Sequence, residues 1–163
     1  MNRIWKLLLV IFAIIISDQI TKGIIQQEFI LGESVSIING LFNFTYVRNP
    51  GAAFGFGAQA SDLFRKIMFL WLPVFACLWL VYLIWETRHK ALILCTAYSL
   101  IFAGAVGNLI DRFSLGYVVD FLDFHWGDKH FPAFNIADSS ISIAAGLLII
   151  DFILNIKNSK KTN

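Results

Sequence analysis

Four stretches of this chain are each apolar over about the 20 residues that a helix needs to cross a bilayer. They run roughly Ile4–Ile25, Phe64–Trp85, Ala91–Ile110 and Ile136–Ile156. Charged residues make up only 15% of the chain and hydrophobic ones 58%, against roughly 25% charge in a soluble domain. The expected fold is therefore a membrane protein, mainly α, with four transmembrane helices. At 163 residues it reads as a single membrane-embedded domain over residues 1–163. A net charge of +2 with scattered Lys and Arg leaves no phosphate-binding stripe, so no nucleic acid partner is expected.

The first stretch has the basic start of a signal peptide, with Arg3 and Lys6 before the apolar run Leu7–Ile16. No small-x-small cleavage site follows, and helix-compatible sequence continues through Ile25, so it reads as a retained anchor. Basic residues are densest in the N-terminal segment, the turn Glu86–Lys90 and the tail with Lys157, Lys160 and Lys161. The positive-inside rule then puts both termini in the cytoplasm. The opposite, outer face carries the two long loops, about residues 26–63 and 111–135. Within the first, Ser34–Ile38 and Leu41–Val47 alternate polar with apolar or β-branched residues around Asn39-Gly40, a hairpin signal. A small β-sheet on the outer membrane surface is expected.

Nine of the eleven acidic residues fall toward that outer side, among them Asp18, Asp111, Asp120, Asp123 and Asp138. Acids beside lipid-embedded segments are costly, and their clustering points to a working site. Asp120 lies on the strand-like Tyr117–Phe121; Asp138 opens the fourth span, after the helix cap Asn135. Asp138 alone would serve as a partner for the helix dipole. Two carboxylates that meet suggest acid/base chemistry. Asp18 sits roughly 21 Å along the first helix from Ile4, with Lys22 at i+4 on the same face. The pair is either a local neutralisation in lipid or a brace for a site in the bundle interior.

Asn108 and Arg112 share a helix face, and both offer hydrogen-bond donors. Asp111 points elsewhere, with a cap, a pair with Arg112 and contact with water all open to it. The segment Gly51–Gly57 is either a plain turn or a close-approach loop whose Phe54 and Phe56 cover a cleft or enter lipid. His125 and His130 between the two central acids match no common zinc pattern, so no metal site is expected. No His or Lys is placed to activate the serines near Asp138. Cys77 and Cys95 lie in apolar runs and read as packing thiols.

Taken in order, five motifs resemble the lipoprotein signal peptidases (signal peptidase II) of bacteria. They are Asp18-Gln19-Ile20-Thr21-Lys22, Asn49-Pro50-Gly51-Ala52-Ala53-Phe54, Gly107-Asn108-Leu109-Ile110-Asp111-Arg112, Val118-Val119-Asp120-Phe121 and Phe134-Asn135-Ile136-Ala137-Asp138-Ser139. The resemblance covers nearly the whole chain. It implies an inner-membrane aspartyl endopeptidase without metal or organic cofactor. Its substrates would be prolipoproteins whose cysteine already carries diacylglycerol, cut just before that cysteine; membrane lipid is the other partner. The resemblance makes Asp120 and Asp138 the catalytic pair. Asn49, Asn108, Arg112 and Asn135 become contacts to substrate or supports of the dyad, and Asp18 and Lys22 a structural pair. It also implies inhibition by globomycin-type cyclic peptides, and a monomer is expected.

The alternative is a small proton-coupled membrane transporter with Asp18, Asp111, Asp120 and Asp138 as a relay. A relay should thread polar groups through the spans, whereas the middles of all four are almost wholly apolar.

Overall fold

The computed structural model describes residues 3–51, 57, 59–89 and 91–159. The four expected spans are helices: α1 (Arg3–Glu28), α2 (Asp62–Thr87), α3 (Leu92–Ser114) and α4 (Ile136–Ser159). Each is long and apolar enough to cross a membrane. Their outward faces carry large exposed apolar side chains, Phe12, Phe75, Trp79 and Phe152 each at least 60% exposed. Apolar surface on that scale belongs against lipid rather than water.

Helix α2 opens at Ser61, whose Oγ accepts from the Phe64 amide. It then relaxes into one π-helical turn over Ile67–Trp71 just ahead of Pro73. Proline has no N–H for the ladder and its ring crowds the preceding turn, so the widened turn takes up both defects. Helix α3 is the most buried span and forms the floor on which α1, α2 and α4 pack. Its most extensive contact is with α4. A Cβ on Gly104 would stand 2.4 Å from the Ala137 carbonyl oxygen, and one on Gly107 would stand 2.8 Å from Asp18 Oδ2. Bare backbone at these two positions lets the first turn of α4 settle onto α3 and α1.

The hairpin is present as β1 (Ser34–Ile38) and β2 (Phe42–Asn49), with Gly40 at φ +76° in its turn. The sheet is larger than the hairpin signal predicts. Strand β3 (Val118–Trp126) pairs antiparallel with β2, and the short β4 (Lys129–His130) completes the order β1-β2-β3-β4. The pairing sets Val47 opposite Asp120 and Asn49 opposite Val118, after an irregularity between Phe44 and Val47. Tyr46, Val119 and Phe121 bury against Ile25 near the end of α1. The sheet is thereby fixed to the same end of the bundle at which α4 begins.

Candidate active site

Asp138 is held in place by the way α4 starts. Asn135 Oδ1 accepts from the Asp138 amide at 2.9 Å, while Asp138 Oδ2 accepts from the Asn135 amide at 3.3 Å. This reciprocal capping box satisfies two N–H groups that no helical carbonyl reaches. With its oxygen so engaged, the Asn135 side chain turns its NH2 group away from the helix. That group donates to Asp120 Oδ1 at 2.7 Å, to the Val119 carbonyl at 3.2 Å and to Asn108 Oδ1 at 3.3 Å. One buried amide thus ties the strand carrying Asp120 to the helix carrying Asp138. The expected cap and the expected site residue are the same side chain.

The remaining amides are oriented in the same manner. Asn49 Oδ1 accepts from the Gly51 amide at 3.0 Å, which leaves its Nδ2 to donate to Asp120 Oδ2 at 3.0 Å. Lys22 Nζ can only donate, and it donates to Asn108 Oδ1 at 3.0 Å. Asn108 Nδ2 is then directed at Asp138 Oδ1, 2.8 Å away. Arg112, one turn on, donates through Nη2 to the Gly51 carbonyl at 2.9 Å, and its buried Nε has no hydrogen-bond partner among the described residues. Asp120 is 2% exposed. Burial first, and then the charge of Asp138, push its carboxyl up to about 7, against the opposing pull of Asn49, Asn135 and the more distant Lys22.

Asp18 and Lys22 form the expected i,i+4 ion pair at 2.8 Å, both essentially inaccessible to solvent. Asp111 takes none of the three roles left open for it. It is buried and pairs with Lys22 at 3.0 Å, while also accepting from the Val119 amide at 3.0 Å. Helical spacing does show that Asp111 leaves the face of Asn108 and Arg112. It carries no signal for a partner on α1 or for the strand that follows.

Asn49, Asn108, Arg112, Asp120 and Asp138 line a cavity of about 580 Å³. Its other walls are the segment Phe131–Phe134 and the early turns of α4 around Ile141 and Ile143. His125 and His130 lie apart from it on the sheet, their rings stacked at 4.7 Å, with His130 Nδ1 2.9 Å from Asp123. Among the described residues no three His, Cys, Asp or Glu side chains are grouped to hold a metal. Cys77 and Cys95 are separate, buried thiols. Phe54 and Phe56, expected to cover a cleft or enter lipid, lie outside the described residues.

Fold and cavity together define a multi-pass membrane protein with a carboxylate-lined site at one end of its helical bundle. Residues 10–154 match the family described as signal peptidase (SPase) II, and the chain belongs to that family. The lipoprotein signal peptidase of Desulforapulum autotrophicum is 45% identical over 150 residues, spanning 92% of this chain and 93% of that one. That of Shewanella pealeana is 44% identical, spanning 94% and 89%. Among solved structures, a bacterial membrane enzyme determined by the in meso method at 2.3 Å resolution superposes with a TM-score of 0.84 at 37% identity. The match covers 96% of this chain and 93% of that one.

Proposed function

We propose that this protein is an aspartyl endopeptidase that removes the signal peptide from diacylglyceryl-modified prolipoproteins, cutting before the lipidated cysteine. The family supports prolipoprotein processing. The observation that carries the aspartyl mechanism is Asn135, whose side-chain NH2 donates to the Asp120 carboxyl and whose backbone N–H donates to the Asp138 carboxyl, beside one cavity. Two neighbouring carboxyls share a proton and titrate as a unit. Burial and the neighbouring charge raise the Asp120 carboxyl to about 7, so the pair holds one shared proton near neutral pH. The ionised member draws a proton from water as the water attacks the scissile carbonyl, and the protonated member donates to the carbonyl oxygen. Collapse of the tetrahedral intermediate then sends a proton to the leaving amine.

Arg112 Nε and the donors of Asn49 and Asn108 suit substrate carbonyls or steady the dyad. The apolar walls suit the signal helix and the acyl chains, and globomycin-type cyclic peptides would compete for the same space. The substrate is reached from the membrane's outer face, and both chain ends are cytoplasmic. Arg3 and Arg88 meet at the end of the bundle where the chain begins, in keeping with the positive-inside rule. The protein acts as a monomer in the bacterial inner membrane, its whole length forming one peptidase domain. A proton relay finds no comparable support.

Asp120→Asn and Asp138→Asn, purified in detergent, should each lose cleavage of a lipidated substrate while keeping their helical circular dichroism. Ordinary turnover by either variant would sink the dyad assignment.

A further inference from the structure

The amide of the residue just before each reacting aspartate is held by a buried carboxylate. Asp111 Oδ2 accepts from Val119 N–H at 3.0 Å, next to Asp120, and Asp18 Oδ1 accepts from Ala137 N–H at 2.9 Å, next to Asp138. Both carboxylates are gripped by one ammonium: Lys22 Nζ lies 2.8 Å from Asp18 Oδ2 and 3.0 Å from Asp111 Oδ2. Gln19 Nε2 adds a second tie, to Asp111 Oδ1 at 3.0 Å and Asp18 Oδ2 at 3.2 Å. The third partner of Lys22 is Asn108 Oδ1, whose amide donates to Asp138. Lys22, Asp18 and Asp111 are 2%, 0% and 3% exposed.

We propose that Asp111 is a positioning residue and that the Asp18–Lys22–Asp111 bridge sets the separation of the two catalytic carboxyls. The inference rests on the dyad reading above. The bridge spans α1, α3, β3 and α4, which carry Lys22, Asp111, Val119 and Ala137 in turn. Neutralising Asp18 in lipid needs only Lys22. It does not need a second carboxylate on the same ammonium, nor the Val119 and Ala137 amides as the further partners of the two carboxylates. A shared proton depends on the distance between carboxyl oxygens, so a clamp on both flanking peptide units acts directly on the reaction. It touches neither substrate nor the reacting atoms.

Turnover of a lipidated substrate by detergent-purified variants separates this from a general stabilising role. Asp111→Leu removes the acceptor for both Val119 N–H and Lys22, and kcat should fall about 100-fold with KM nearly unchanged, as for an ångström-scale misplacement. Asp111→Asn keeps an oxygen that both donors can share, and should recover kcat to within about tenfold of wild type, since positioning survives when the shared acceptor does. Gly107→Ala alters no polar group but brings a methyl within 2.8 Å of Asp18 Oδ2. It should also lower kcat at constant KM, and serves if Asp111→Leu does not fold. Wild-type kcat in Asp111→Leu or Gly107→Ala, a loss confined to KM, or an Asn variant as inactive as a folded Leu variant would overturn the proposal. If Asp120→Asn and Asp138→Asn, assayed alongside, remain active, the dyad reading fails instead.

Discussion

Asn135 and Asp138 cap each other: each side chain accepts the other's backbone N–H at the start of α4. A local helix-start motif therefore orients a side chain of the proposed dyad, and the NH2 left over on Asn135 reaches Asp120. The two duties of Asn135 are separable. Asn135→Ala should cost about 1 kcal/mol of stability through the lost cap and also most of the turnover. Asn135→Ser, which keeps an oxygen for the Asp138 amide but no NH2, should regain the melting temperature without regaining kcat. Parallel recovery of both would show that the bridge to Asp120 is dispensable.

The position of Asp120 fixes the sign of a pH effect. Its carboxyl titrates near 7 in the folded protein against an ordinary 3.8, so the protonated form is favoured by burial. Activity that needs this proton should decline as pH rises through about 7. Stability follows the same sense: the contribution is fully present below 3.8 and is lost as pH rises through about 7. Its full size is roughly 4 kcal/mol at most. Thermal unfolding in detergent from pH 5 to 9 should show the loss in the wild type and a flatter profile in Asp120→Asn.

Gly104 tests the seat of α4. An added methyl meets the Ala137 carbonyl oxygen at 2.4 Å and Ser140 Oγ at 2.6 Å, and a carbonyl within a helix cannot turn aside. Gly104→Ala should cost about 1–3 kcal/mol, with kcat reduced because Ala137 leads directly into Asp138. An unchanged melting temperature would mean that α3 and α4 can part more easily than this packing allows.

Chelation addresses the chemistry itself. A carboxyl pair activates water without a metal, so turnover should persist in EDTA. Activity lost to EDTA and restored by zinc would replace the dyad mechanism with a metal-assisted one.

Much of the architecture is legible in the sequence because its signals are local. Hydrophobic runs locate the helices, and Asn39-Gly40 locates the hairpin. Asn135 followed by Asp138 marks a helix start. The site is legible only in part, because its contacts join distant parts of the chain. Asp18 meets Ala137 across 119 positions, and Lys22 meets Asn108 across 86. Neither periodicity nor spacing reports such a meeting. The resemblance to signal peptidase II named Asp120 and Asp138, yet Asp111 acquires its partners only when α1, α3 and β3 are seen together. The pairing of β3 with β2 was hidden for the same reason, since a strand's edge partner is set by tertiary packing rather than by its own residues.

The start of α4 is pinned to α1 through Ala137 and Asp18, and α4 leaves the ribosome after α1, α2 and α3. A nascent chain carrying only the first three spans holds Asp120 without Asp138, Asn135 or the cavity wall around Ile141. On the proposed mechanism, synthesis itself thus acts as the safety catch: the chain has no cutting edge until α4 has entered the bilayer and closed against α1.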